Sequence, residues 1–172
     1  MSFINIEIKA RTGRADAIRK YLLENNAAFE GTDFQTDTYF NTGRGRLKLR
    51  EGNIENNLIY YERENKAGPK QSNFSLVAVP DAKALKEILA AATGIKVVVE
   101  KKREIYFIGN VKFHLDTLEQ LGSFVEVEAS NKDAPLSTEA LKAQCDFYAD
   151  AFGIATEDLI TVSYSDMLLE KL

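Results

Sequence analysis

Ionic side chains recur on every second residue in several segments of this chain. The stretch RGRLKLRE sets Arg44, Arg46, Lys48 and Arg50 in alternation with Gly45, Leu47 and Leu49. In VVVEKKREIYFI, Lys101 and Arg103 share one parity while Glu100, Lys102 and Glu104 share the other. The opening stretch FINIEIKAR alternates Asn5, Glu7, Lys9 and Arg11 with Ile4, Ile6, Ile8 and Ala10. Carboxylates obey the same rule later, with Asp116 on the parity of Lys112 and His114, and Glu126 and Glu128 in FVEVEA. Strand side chains point alternately to two faces, so each stretch reads as a strand with one ionic face. Rows of like charge repel, and strand propensity does not call for them. A charged edge strand that resists aggregation is one explanation. Ionic faces turned into the bore of a barrel that holds a polyphosphate are the other, and the expected arrangement.

Such a bore would gather Lys9, Arg11, Arg46, Lys48, Arg50, Arg63, Lys101 and Arg103 as cations, and Glu7, Asp116, Glu126 and Glu128 as carboxylates. Arg63 is assigned only to within one residue, because Glu62 competes for the inward position. An unpaired buried ion costs on the order of several kcal/mol. Opposite charges, water and a bound anion must offset that cost. A nucleoside triphosphate offers many acceptor oxygens to rows of Arg and Lys. Carboxylates suit a hard cation such as Mg²⁺, which typically bridges one or two carboxylates to substrate phosphates.

The elements that must position these residues are strands in hairpin order with helices between. Strands are expected over residues 3–11, 34–40, 44–51, 57–63, 74–79, 95–108, 111–118 and 124–129. Asn41-Thr42-Gly43 and Gly109-Asn110 are turn sequences. Residues 65–72, with Gly68, Pro69 and two lysines, read as a loop. Helices are expected over 14–25, with Ile18 and Leu22 on its apolar stripe, and over 81–92, capped by Asp81 and burying Leu85, Ile88 and Leu89. Two more are expected over 137–152 and in the tail 163–172. About eight strands and these helices can close into an antiparallel barrel whose small bore holds one ligand. The expected class is α+β: an eight-stranded antiparallel closed β-barrel with flanking helices.

Composition narrows the function. The chain has 172 residues, a size that suits one domain over 1–172 with a full core. Its net charge of −4 argues against a broad nucleic-acid-binding face. One cysteine, Cys145, excludes an internal disulfide and any cysteine-rich metal site, and reads as a small core residue. With one histidine, His114, triads and His-rich metal sites are excluded too, and that residue reads as the partner of a neighbouring carboxylate. No apolar leader and no run long enough to span a bilayer is present, so a cytoplasmic location without membrane association is expected.

Four motifs in order resemble those of the CYTH family, the triphosphate tunnel metalloenzymes. They are Asn5-Ile6-Glu7-Ile8-Lys9, then Lys48-Leu49-Arg50, then Lys101-Lys102-Arg103, then Asp116 through Gly122 and Phe124 to Glu126 and Glu128. The second half is most similar to the class IV adenylyl cyclase branch. The resemblance implies an eight-stranded triphosphate tunnel. It implies that Lys9, Lys48, Arg50, Arg63, Lys101 and Arg103 bind a triphosphate such as ATP, and that Lys9, Arg50 and Asp116 act in catalysis. Glu7, Asp116, Glu126 and Glu128 are implied ligands for Mg²⁺ or Mn²⁺. The implied activity is that of a lyase forming cyclic AMP and pyrophosphate. Metal-dependent hydrolysis of inorganic or thiamine triphosphate and non-catalytic triphosphate binding are the alternatives. Many members are dimers, which makes a homodimer an expectation.

Two positions depart from the family pattern. Asn5 stands where the first glutamate is usual, so one negative ligand is missing. Arg63 stands near a position usually held by lysine, which assists the attacking water beside a tyrosine like Tyr39 in thiamine triphosphatases. Arginine stays protonated and is a poor base, which weakens the hydrolase reading.

Overall fold

The computed structural model describes residues 2–172. Eight strands run in the order β1 (Ser2–Arg11), β2 (Ala28–Phe40), β3 (Arg46–Glu51), β4 (Asn56–Arg63), β5 (Lys70–Ala78), β6 (Ile95–Ile108), β7 (Val111–Leu118) and β8 (Gly122–Ser130). Four α-helices are interspersed: α1 (Ala15–Glu24), α2 (Ala82–Thr93), α3 (Thr138–Ala151) and α4 (Tyr164–Glu170). The strands close into a barrel in the spatial order β1-β5-β4-β3-β2-β6-β7-β8, and β8 pairs back to β1. Every pairing is antiparallel. The expected barrel and its flanking helices are therefore present.

The apolar parity of the strands lies outside the barrel. Ile6, Ile8 and Ala10 of β1, Val111, Phe113 and Leu115 of β7, and Val125, Val127 and Ala129 of β8 form one buried cluster. The roof over that cluster comes from Ile18 and Leu22 of α1 and Leu141, Cys145 and Phe152 around α3. This core lies between sheet and helices, leaving the inner face free to be ionic. Burial pushes the Cys145 thiol up to about 12, in keeping with a packing role.

One end of the barrel is closed. Ile160 N donates to the Lys9 carbonyl, and Lys70 Nζ donates to the carbonyls of Ile160 and Thr161. Tyr164 and Met167 of α4 pack with Tyr39, Tyr61, Leu118 and Phe124 in a second cluster at that end. The cap of α4 is reciprocal: the Ser163 hydroxyl accepts from Asp166 N, and the Asp166 carboxylate accepts from Ser163 N.

Three expectations need correction. Strand β2 starts at Ala28, not residue 34, because a register shift between Phe29 and Gly31 lets the chain keep pairing with β6. Strand β5 starts at Lys70, so most of the expected loop 65–72 contracts to a short turn and both Lys70 and Ser72 enter the barrel wall. Helix α2 buries no residue, and Ile88 is 63% exposed. It lies along β2 and β3 and is pinned by Lys86 to Glu51 at 2.7 Å. No helix among the described residues is long and apolar enough to cross a membrane.

Candidate functional site

The bore is a cavity of about 610 Å³ lined from every strand of the barrel. All six side chains expected to grip a triphosphate reach it: Lys9, Lys48, Arg50, Arg63, Lys101 and Arg103. All six have the inward parity of their strands. The register sets Lys48 of β3 across from Tyr39, Arg50 across from Asp37, and Lys9 across from Glu126. The competition at 62 and 63 resolves in favour of arginine. Arg63 points inward to Glu7 at 2.7 Å, while Glu62 faces out and pairs with Arg44 at 2.8 Å. Two cations of the right parity fall outside the cavity lining. Arg11 turns over the Phe124 ring and donates to the Leu121 carbonyl, and Arg46 pairs with Asp166 of α4 at 2.8 Å. Both sit at strand ends beside the closed end, where their tips reach around the rim.

The buried cations are held by carboxylates on neighbouring strands. Asp37 accepts from Arg50 Nε at 2.9 Å and Nη2 at 2.8 Å, and from Lys101 Nζ at 2.8 Å, with Lys48 Nζ at 3.3 Å. Burial works to raise the Asp37 carboxyl, but Arg50, Lys101 and Lys48 prevail and hold it well below its ordinary range. Lys101 pays the converse cost. Burial, with Arg103, Arg50 and Lys48 nearby, brings it down to about 7 despite Asp37.

Arg103 forms a two-pronged pair with Asp116, both contacts at 2.7 Å, and reaches Glu126 at 3.3 Å. The Tyr164 hydroxyl donates to the same Asp116 at 2.7 Å. Asp116 was expected as a metal ligand and catalytic group. The structure sets it behind Arg103, outside the cavity lining, with both oxygens engaged. There it holds both prongs of the Arg103 fork. Lys9 lies 3.2 Å from Glu126 and 3.6 Å above the Tyr164 ring centre.

The remaining expected carboxylates converge. Ligand atoms of His114, Glu126 and Glu128 lie within 4.8 Å of one another. Glu7 is directly across from Glu128 on the neighbouring strand. Burial together with Glu7 and Glu126 pushes Glu128 up to about 7, a crowding of like charge that a cation would relieve. Asn5 Oδ1 and His114 Nε2 are buried without a hydrogen-bond partner among the described residues. Burial, then Arg103, brings His114 down to about 4, leaving it neutral and able to ligate at pH 7. Its Nδ1 is 3.4 Å from Glu126, the carboxylate partner expected of it. A divalent cation fits this donor set of carboxylate oxygens, one amide oxygen and one imidazole.

The loop between β3 and β4 adds one more acid. Asp33 accepts from the backbone of Ile54 and Glu55 at 3.0 Å each, holding the loop against β2. Gly52 is required there, since a Cβ would lie 2.5 Å from an Asp33 oxygen. The loop so shaped presents Glu55 to Arg50 at 3.2 Å and to Lys112.

A family model described as the CYTH domain matches residues 4–164. The chain belongs to the CYTH domain family. A curated protein of Methanocaldococcus jannaschii with the name "Putative adenylate cyclase MJ0240" is 27% identical over 95% of this chain and 98% of its own length. Among solved structures, the PH1012 protein of Pyrococcus horikoshii OT3 is 25% identical with a TM-score of 0.81, covering 94% of this chain and 98% of that one. A structure from Vibrio parahaemolyticus titled as a putative adenylate cyclase has a TM-score of 0.77 at 19% identity, covering 96% and 98%, and shows the shared fold.

Within this CYTH tunnel, four contributors escaped the reading by parity. Asp37 is the hub of three cations, Tyr164 orients Asp116, Lys70 fastens the closed end and Glu55 caps Arg50. One signal for Asp37 was available: Asp33, Gln35, Asp37 and Tyr39 share a parity on the strand beside the RGRLKLRE stretch.

Proposed function

We propose that this protein is a metal-dependent enzyme that takes ATP into its tunnel and forms cyclic AMP and pyrophosphate. The observation that carries the reading is the convergence of six cations from four strands on one cavity. The name of the 27% identical M. jannaschii relative supports the cyclase form of it.

In this reading Lys9, Lys48, Arg50, Arg63, Lys101 and Arg103 hold the phosphate chain in line and stabilise the charge that builds on departing pyrophosphate. The ribose 3′ hydroxyl attacks the α-phosphorus, the bond to the bridging oxygen breaks, and the hydroxyl proton passes to solvent water as pyrophosphate departs. Asp116 and Tyr164 keep the Arg103 fork turned into the cavity. Glu7, Glu126 and Glu128, with Asn5 and His114 beside them, would hold Mg²⁺ or Mn²⁺. When bound, such an ion lowers the cost of negative charge on the attacking and leaving oxygens. The arginines contribute fixed charge and no base, which agrees with chemistry that needs little protein acid–base work.

Hydrolysis of a triphosphate by the same grip is the second reading. A lysine brought down to about 7 inside the cavity, Lys101, favours it, because a group titrating near neutrality suits proton transfer to or from water. Product analysis decides between them. Purified protein is incubated with ATP and with tripolyphosphate, each with Mg²⁺ and Mn²⁺. Cyclic AMP with equimolar pyrophosphate establishes the cyclase. Phosphate release without cyclic nucleotide establishes the hydrolase. No turnover of either substrate by folded, triphosphate-binding protein refutes both and leaves a binding protein.

A further inference from the structure

The cations of the bore are not spread evenly along its axis. Glu30, Lys132 and Asp133 line the cavity and are exposed, which marks the end opposite α4 as its mouth. Toward that mouth the strands of the grip run out of positive charge. On β1 the inward side chains beyond Lys9 are Glu7, Asn5 and Phe3. On β4 those beyond Arg63 are Tyr61, Ile59 and Asn57. Beyond Arg103, β6 offers Phe107 to the cavity, and β3 ends one residue after Arg50. Two lysines remain in the lining outside the grip, Lys112 of β7 and Lys132 after β8.

Lys112 is already taken. It pairs with Glu55, whose other oxygen is 3.2 Å from Arg50 and accepts from Gln35 Nε2 at 3.0 Å. Strands β2 and β6 lie between β3 and β7, so this carboxylate links two cations across a chord of the barrel. Its backbone is fixed. Asp33 accepts from Ile54 N and Glu55 N, Phe34 N donates to Asn53 Oδ1 at 2.7 Å, and Asn53 Nδ2 donates to the Thr32 carbonyl at 3.0 Å. Burial works to raise the Glu55 carboxyl, but Lys112 and Arg50 prevail and keep it ionised. A phosphate that takes Arg50 therefore leaves Glu55 on Lys112. The next phosphate toward the mouth meets a carboxylate and finds no free strand cation. Like charges a few ångströms apart repel, and an ion moved out of water without a partner is disfavoured.

We propose that Glu55 sets the longest polyphosphate the tunnel accepts: three phosphates fit the grip, and a fourth is turned away by a fixed carboxylate that also withholds Lys112. This rests on the triphosphate reading above and adds a limit on chain length. An uncharged group attached to the third phosphate meets no such repulsion, so the limit acts on anions alone.

Dissociation constants of the full chain for tripolyphosphate and linear tetrapolyphosphate, measured by titration calorimetry without added metal, test the inference. Coulomb attraction alone ranks the more highly charged tetrapolyphosphate first. Glu55 reverses that order in the unmodified chain. Glu55→Gln should tighten tetrapolyphosphate roughly tenfold more than it tightens tripolyphosphate, and adding Lys112→Met should cancel that extra gain. Tripolyphosphate binding by each variant shows that it is folded. Tetrapolyphosphate binding the unmodified chain more tightly than tripolyphosphate, or Glu55→Gln tightening both equally, would overturn the limit and leave the grip standing. An extra gain that survives Lys112→Met would overturn the part given to Lys112. A Glu55→Gln protein that binds neither ligand would make Glu55 a support of the grip and overturn its part as a stop. Binding of neither ligand to the unmodified chain would overturn the triphosphate reading, and the limit with it.

Discussion

Replacing Asp37 with asparagine removes one charge and almost no volume, which makes it the sharpest probe of how this tunnel is held. Asp37 is 1% exposed and balances Arg50, Lys101 and Lys48 at 2.8–3.3 Å. Breaking a buried ion pair from one side typically costs about 3–5 kcal/mol, a large share of the roughly 5–15 kcal/mol that keeps a domain folded. One relief route lowers that figure. Lys101 is at about 7 even with Asp37 beside it, and losing that attraction takes it lower. At pH 8 Lys101 in the variant sheds its proton and one uncompensated charge disappears; at pH 6 more of that charge persists. Asp37→Asn should therefore cost nearer 5 kcal/mol at pH 6 and nearer 3 kcal/mol at pH 8. Urea unfolding at the two pH values reads this as a shift in midpoint at constant slope. Tripolyphosphate should then stabilise the variant more than the unmodified chain, because a bound anion replaces the lost carboxylate. At ~100 times its dissociation constant a ligand adds about 2.7 kcal/mol, and each tenfold gain in affinity adds about 1.4 kcal/mol. A variant as stable as the unmodified chain, or one that tripolyphosphate stabilises less, would refute the view that Asp37 holds the place of a phosphate.

Lys101 should also make triphosphate binding proton-linked. Its folded value of about 7 lies below the ordinary lysine value of 10.5, so between those limits the unfolded chain holds more protons and stability rises with pH. A bound polyanion restores the proton, so binding at pH 8 takes up protons and weakens from pH 7 to 9; calorimetry in buffers of different ionisation heat measures the uptake, and buffer-independent heats would contradict it. Tyr164→Phe removes a 2.7 Å hydrogen bond to a buried, ionised Asp116 and should cost about 1.5–3 kcal/mol in urea unfolding, with a midpoint unchanged from the parent chain counting against the Asp116 assignment. Asn5→Glu adds a carboxylate beside Glu7 and Glu128 and should tighten Mn²⁺ binding several-fold by electron paramagnetic resonance titration. Unchanged Mn²⁺ affinity would remove that position from the metal centre.

Strand parity carried most of the fold and the grip into view, because the period of two is geometric: a residue of known parity on a known strand has only two faces to choose from. It failed where something other than parity decided. Arg11 and Arg46 have the inward parity, but they sit at strand ends, where a long side chain can reach around the rim to Leu121 or Asp166. Asp116 has it too, yet Arg103 stands in front. Alternation says which way a side chain leaves the backbone and nothing of what screens its tip. The start of β5 was hidden because Gly68 and Pro69 are turn residues, and the helix-like stripe on α2 did not translate into burial because its apolar side lies along the barrel wall without a second layer. Asp37 was missed for a different reason: one acid in a polar strand looks ordinary until its neighbour in the sheet is known to be the most cationic stretch of the chain.

That last miss bears on how the tunnel works. The six gripping cations each have a carboxylate on another strand: Lys48, Arg50 and Lys101 have Asp37, Arg63 has Glu7, Arg103 has Asp116, and Lys9 has Glu126. Cross-strand pairing keeps the bore near neutrality, which limits the cost of burying so much charge. It also means that a polyphosphate does not enter an empty cationic field; it competes with these carboxylates for the same donors. The partners differ in what they can do next. Asp116 is anchored by Tyr164 and stays, so Arg103 keeps its orientation. Glu126 and Glu128 gather beside His114, with Glu7 across from Glu128, so carboxylates released from Arg63 and Lys9 by the phosphates are the ones placed to take a cation. Exchange of partners within one set of charges thereby couples anion entry to cation binding, and it predicts that tripolyphosphate raises Mn²⁺ affinity by the same factor by which Mn²⁺ raises affinity for tripolyphosphate.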